Sequence, residues 1–141
     1  MLKGISPVLS PELLKTIAEM GHGDELVIGD CNFPAQSMGK RCVRADGHMG
    51  AQLLDAILQL FPLDQFVKTP VTLMDPAGGL DGDPPIWKEF SQIIEKHQPG
   101  IQCEKIDRFA FYERAKNAYA TVATGETGLY ACIIIKKGCV L

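Results

Sequence analysis

Ser10-Pro11-Glu12-Leu13-Leu14-Lys15-Thr16-Ile17-Ala18-Glu19-Met20-Gly21-His22-Gly23-Asp24-Glu25-Leu26-Val27-Ile28-Gly29-Asp30 reads as a helix that delivers the chain into a buried strand. Ser10 is an N-cap, and Pro11 at the first helical position has its φ preset and no amide to leave unpaired. Leu13, Leu14, Ile17 and Ala18 recur at helical spacing from about Pro11 to Met20, and Gly21 is placed to end the helix in a left-handed conformation. Glu25 to Gly29 is a short apolar run bounded by turn residues, hence a strand ending at Asp30. Cys31-Asn32-Phe33-Pro34 does not continue it, because proline lacks the donor that a ladder needs.

Working outward, the same alternation repeats. Arg41 to Ala45 predicts a strand closed by Asp46-Gly47, and Met49 to Phe61, with Leu53, Leu54, Ile57, Leu58 and Phe61 at helical spacing, predicts a helix stopped by Pro62. Val71 to Met74 reads as a strand and Asp75 to Asp83 as a loop, with Asp83 capping a helix from Pro84-Pro85 to about His97. A strand over Ile101 to Ile106 and a short helix over Phe111 to Ala118 follow, the helix with a charged, solvated face of Glu113, Arg114 and Lys116 and with Phe109 and Phe111 in the core. Two strands, Ala120 to Thr124 and Tyr130 to Lys136, flank Gly125-Glu126 and are expected to close the chain as a hairpin. Alternating helices and strands predict a single α/β domain over residues 1–141, layered around a mixed sheet.

Composition narrows the function. The 141 residues carry a formal charge of −3, with the 14 Lys and Arg spread along the chain, which argues against nucleic acid as a partner. No apolar run reaches bilayer-spanning length and the start lacks the layout of a signal peptide, so neither a membrane partner nor export is expected, and the protein is expected to be cytoplasmic. Cys31, Cys42, Cys103, Cys132 and Cys139 are odd in number and lack metal-ligand spacing; buried free thiols are expected, and no metal or cofactor.

Three segments have working chemistry. His22, Asp24 and Asp30 gather an imidazole and two carboxylates behind a helix end, and histidine is the side chain suited to give a proton near neutral pH. The plainer alternative is that His22 bonds the last carbonyls of that helix. Arg108-Phe109-Ala110-Phe111-Tyr112-Glu113-Arg114 interleaves rings with guanidinium groups, a combination suited to the apolar faces and hydroxyls of a sugar. Tyr130-Ala131-Cys132 heads the last strand and offers a phenol. Gly78-Gly79 and Gly125 build no phosphate fingerprint, and Asp81-Gly82-Asp83 is too short for a calcium loop.

Several words of the sequence, in order, resemble the RbsD/FucU family of ribose pyranases and fucose mutarotases. They are Ile5-Ser-Pro-Val-Leu-Ser-Pro-Glu-Leu-Leu14, Met20-Gly-His-Gly-Asp-Glu25, Asn32-Phe-Pro-Ala35, Arg44-Ala-Asp-Gly47, Arg108-Phe-Ala-Phe-Tyr-Glu-Arg-Ala115, Ala123-Thr-Gly-Glu126 and Lys136-Lys-Gly138. The block from Arg108 to Ala115 favours the fucose branch. The resemblance implies an RbsD-like α/β/α fold, a homo-oligomer with sites near subunit interfaces, no cofactor, and a monosaccharide, L-fucose, as the partner. It implies His22 as the acid catalyst and Tyr112 as a second acid/base or ligand. Asp30, Arg108, Tyr130, Cys132 and Asp64 are implied as substrate contacts. The family's tripeptide Tyr-Gly-Asn is here Tyr130-Ala131-Cys132, so a thiol stands where an amide would meet the sugar.

The implied activity is exchange of the α and β anomers of L-fucose by acid/base-catalysed ring opening and closing. Conversion of D-ribose between pyranose and furanose forms, and non-catalytic monosaccharide binding in sugar uptake, are the alternatives.

Overall fold

A computed structural model describes all of residues 1–141. The chain runs α1 (Pro11–Glu19), β1 (Glu25–Gly29), α2 (Ala35–Met38), β2 (Cys42–Ala45), α3 (Gly50–Leu58), β3 (Val71–Met74), α4 (Ile86–His97), β4 (Cys103–Ile106), α5 (Arg108–Asn117), β5 (Ala120–Thr124) and β6 (Ile133–Lys136). Ser10 caps α1 as expected, its hydroxyl accepting from the Leu13 amide at 3.1 Å. Gly21 does not take the left-handed conformation that ends the helix. Gly23 does, at φ +88°, where the loop turns into β1.

The six strands form one sheet in the order β2-β5-β1-β6-β3-β4. β1 pairs parallel with β5, β5 with β2, and β3 with β4, while β6 runs antiparallel between β1 and β3. The sheet is mixed, as the helix–strand alternation predicts, with five parallel strands and one reversed.

Side chains on alternate sides of these strands build two cores. Leu26, Ile28, Ile133 and Ile135 pack with Leu13 and Ile17 of α1, Leu53 and Ile57 of α3, and Phe90 of α4. Val27 and Ile134 face the other way, onto Phe33, Ala35 of α2, and Phe111 and Ala115 of α5. Three layers result: α1, α3 and α4 on one side of the sheet, α2 and α5 on the other. Strands covered on both sides keep apolar residues at consecutive positions, as in Leu26-Val27-Ile28 of β1 and Ile133-Ile134-Ile135 of β6.

Other expectations are corrected. The closing hairpin does not form, because β1 lies between β5 and β6. Glu126, at the presumed turn, is buried; its carboxylate accepts from the amides of Gly50 and Gly128, and its carbonyl accepts from the Cys31 amide. Those bonds carry residues 125–132 over the end of β1. β6 begins only at Ile133, so Tyr130 belongs to this crossing. Asp83 does not cap α4, whose N-cap is Pro85; it pairs with Lys105 instead. α5 starts three residues earlier than expected because Asp107 caps it, accepting from the amides of Phe109 and Ala110. Phe109 is exposed rather than core, and Arg114 is drawn inward rather than solvated. All five cysteines are free, and only Cys132 is buried. No helix is long and apolar enough to cross a membrane.

Candidate active site

The carboxyl ends of β1, β3 and β4 and the crossing before β6 enclose a cavity of about 260 Å³ bordered by Asp30, Arg108, Tyr112, Tyr130 and Cys132. Pockets for drug-sized ligands start at about 300 Å³, so this one suits a smaller molecule. Asn32, Phe33, Met74, Gly79 and Leu129 complete its lining. A larger hollow of about 1,070 Å³ lies against α3 and α4; of its carboxylates Asp55, Glu89 and Glu126, the first is engaged with Lys96 and His97 and the last with the amides of Gly50 and Gly128.

Asp30 is the first residue past β1 and is buried. One oxygen accepts from the Asn32 amide at 2.9 Å and the other from the Cys132 thiol at 3.4 Å. Burial, and then the negative charge of Asp30, push the Cys132 thiol well above the usual cysteine value. It therefore keeps its proton and works as a weak donor to the carboxylate.

Arg108 and Tyr112 sit four residues apart at the start of α5 and so share a face of that helix. Phe111, between them, is buried and anchors the helix on the sheet. The Tyr112 ring stands edge-on to Phe33 with centroids 5.6 Å apart, and the Arg108 guanidinium lies 5.0 Å from the Phe109 centroid. Tyr130 has φ +57°, uncommon for a residue with a side chain and the kind of outlier that clusters at functional sites. Fixed carboxylate, guanidinium and two phenols face an aromatic wall of Phe33, a set of partners for the hydroxyls and apolar face of a sugar.

His22 and Asp64 are not at this cavity. His22 precedes β1 whereas Asp30 follows it, and five residues of strand set them roughly 17 Å apart. The sequence grouping of His22, Asp24 and Asp30 in one segment is thus split across the sheet. At the opposite edge His22 Nε2 lies 3.1 Å from Asp64 Oδ1, and its ring leans on Phe66 with centroids 5.5 Å apart. Asp64 is buried, which tends to raise its pKa. The Phe66 amide, His22 and the charge of Lys136 outweigh that and hold its carboxyl below the ordinary range. A carboxylate has no proton to give, so Nε2 carries the hydrogen and Nδ1 is left free, the arrangement by which a carboxylate orients a working imidazole.

His22 does not bond the last carbonyls of α1. Lys137 does, its Nζ donating to the carbonyl oxygens of Ile17 and Met20 at 2.7 Å each. The Lys137 carbonyl also accepts from the Gly23 amide, and its amide donates to the Asp24 carbonyl. The loop that holds His22 is thereby stitched to the end of β6 from both sides. Lys137, which holds the His22 loop, and Gly79, at the cavity wall, are not singled out by the sequence; the only signals are the Lys136-Lys-Gly138 word and the doubled glycine.

Residues 3–140 match the sequence model of the RbsD / FucU transport protein family. The chain belongs to that family. It is 50% identical over 139 residues to the L-fucose mutarotase of Actinobacillus pleuropneumoniae serotype 5b, an alignment covering 98% of this chain and 96% of that protein. Its fold is similar to the crystal structure of the fucose mutarotase of Streptococcus pneumoniae in complex with L-fucose, with TM-score 0.94, 48% identity, and 99% and 100% of the two chains covered. The FucU structure from Bifidobacterium longum gives TM-score 0.94 and 49% identity over 99% of this chain and 100% of that one. The RbsD/FucU fold and its three layers are thus those of the sequence expectation.

Proposed function

We propose that this RbsD/FucU chain is an L-fucose mutarotase, exchanging the α and β anomers of the free sugar. The observation that carries the reading is near-half identity, over essentially the whole chain, to a fucose mutarotase whose structure holds L-fucose. The cavity at the carboxyl edge of the sheet supplies the matching chemistry.

Anomer exchange opens the cyclic hemiacetal to the aldehyde, turns the carbonyl, and closes it again. Opening needs a proton on the ring oxygen and removal of the anomeric hydroxyl proton; closing reverses both. Asp30, Arg108 and Tyr130 hold hydroxyls of the sugar, and Tyr112 exchanges one proton. His22 exchanges the other, oriented by Asp64. Since one chain keeps His22 and the cavity at opposite edges of the sheet, His22 acts in the cavity of a neighbouring copy. Exposed apolar side chains support such an assembly: Phe66 and Val67 beside His22, Met49, Phe109 and Leu129 toward the other edge. Two different faces meeting make a head-to-tail contact, which closes into a ring when the rotation allows. A free sugar as substrate and five free thiols fit a reducing cytoplasm.

Saturation-transfer NMR on L-fucose tests the reading. His22→Ala and Tyr112→Phe are each expected to lose most of the exchange, and an equimolar mixture of the two, unfolded and refolded together, to regain part of it. Wild-type exchange by His22→Ala removes the imidazole from the mechanism. No recovery in a mixture that assembles normally refutes a site shared between copies.

A further inference from the structure

Gly79 lies in the loop between β3 and α4, and its φ is outside the left-handed region, so its backbone is open to any residue. What a side chain there would contest is space. A Cβ built on Gly79 would stand 2.8 Å from the Tyr130 hydroxyl and 3.6 Å from the ring carbon that bears it, with the Pro76 carbonyl oxygen at 3.0 Å. The loop is itself ordered around this point: the Gly79 amide donates to the Pro76 carbonyl at 2.8 Å, and Asp75 accepts from the Ala77 amide. Ala77 and Gly78 make the left-handed turn at φ +50° and +83° that brings Gly79 to the cavity. On the other side Tyr130 itself has a left-handed backbone, at φ +57°.

We propose that Gly79 is a positioning residue for substrate binding: the space left by its absent side chain is the seat of the Tyr130 phenol, and that seat fixes the hydroxyl at the cavity wall. The proposal rests on the reading of this cavity as the sugar site. Tyr130 O–H has no hydrogen-bond partner within the chain, so a hydroxyl of the sugar can take it. Filling the seat shifts the phenol by a fraction of its contact distance, enough to spoil a hydrogen bond while leaving the proton-transfer groups His22 and Tyr112 in place.

The test is a double-mutant cycle on L-fucose exchange, with wild type, Gly79→Ala, Tyr130→Phe and the double variant measured by saturation-transfer NMR. Gly79→Ala is expected to raise KM about tenfold with kcat little changed, a scale in keeping with the penalties of small misplacements in a site. In the Tyr130→Phe background, where there is no hydroxyl to collide with, the same substitution is expected to change KM by less than about twofold, a coupling that independent sites would not give. A wild-type KM in Gly79→Ala, or an equal rise in both backgrounds, overturns the seat. Should Gly79→Ala fail to fold, recovery of the fold in the double variant supports the collision with Tyr130, and failure of both overturns it. A wild-type chain that does not exchange anomers at all overturns the sugar-site reading, whereas an active wild type with an indifferent Gly79→Ala overturns the seat alone.

Discussion

Asp64 Oδ1 lies 3.1 Å from His22 Nε2, across a separation of 42 residues in the chain. The pair sets which nitrogen of the imidazole is free, and so where a proton can be passed. Asp64→Asn keeps an acceptor for Nε2–H through its amide oxygen but removes the charge that steadies the ring when it carries a second proton. With L-fucose as substrate, kcat is expected to fall roughly tenfold or more, by less than in His22→Ala, with KM little changed, since a general acid is typically worth a hundredfold or more. Saturation-transfer rates at several sugar concentrations check this, and a raised KM with intact kcat would make Asp64 a substrate contact instead.

Cys132 occupies the position at which the family resemblance places an amide. The thiol donates its one hydrogen bond to Asp30 and has only a weak sulfur acceptor left for a sugar hydroxyl. In Cys132→Asn the amide can donate to Asp30 and still offer a second donor and an oxygen. One added hydrogen bond is worth about 0.5–1.5 kcal/mol, so KM for L-fucose should drop by roughly two- to tenfold. Steady-state exchange rates check it; a higher KM would mean that the cavity is shaped around the smaller sulfur. The same burial predicts that native Cys132 resists alkylation at neutral pH while exposed Cys31 reacts, a difference that peptide mapping after iodoacetamide treatment reads directly.

The central strands β1 and β6 are legible because burial on both sides leaves an unbroken apolar run, as in Leu26-Val27-Ile28, and α3 because its apolar residues keep helical spacing. Pairing was not legible. Gly125-Glu126 has the local look of a hairpin turn, but the bonds that Glu126 makes to Gly50, Gly128 and Cys31 are distant in sequence or invisible in it, and they send the chain across β1 instead. In the same way Asp30, Arg108, Tyr112 and Tyr130 were named individually, while their convergence, and the exile of His22 to the other edge, depend on which way β1 runs. Arg114 was read as a solvated charge because its partners Glu25 and Glu104 lie on two different strands.

Lys137 holds the loop before β1 by its side chain and its main chain. Its ammonium at the C-terminal end of α1 meets both the two carbonyls and the negative end of the helix dipole. Lys137→Met should destabilise the fold by about 1–3 kcal/mol, the range for leaving a buried hydrogen-bonding group without its partner. For a domain of this size that is a drop of roughly 3–9 °C in thermal midpoint. Because His22 rides on the same loop, kcat should fall as well, and Lys137→Arg should restore most of both. Calorimetry and exchange rates on the two variants check it; a lowered midpoint with unaltered kcat would confine Lys137 to stability.

Arg114 ties α5, and with it Arg108 and Tyr112, to the sheet. Its guanidinium donates to Glu25 at 2.7 Å, to Glu104 at 2.6 Å and to the Thr72 hydroxyl at 2.9 Å. Burial tends to raise the Glu104 pKa, but the Thr72 hydroxyl and Arg114 outweigh it and hold that carboxyl below its ordinary value. A carboxylate whose folded pKa is depressed adds stability above its unfolded pKa, near 4, and loses it as pH falls through the lower folded value. In wild type the thermal midpoint should therefore hold from pH 7 down to about 5 and decline below about 4. Arg114→Met leaves only the Thr72 hydroxyl and the Lys136 charge to oppose burial at Glu104, whose pKa then rises, so the decline should begin at higher pH and from a lower plateau. Melting curves between pH 3 and 7 decide this, and superimposable profiles for the two proteins would mean that water already screens the pair.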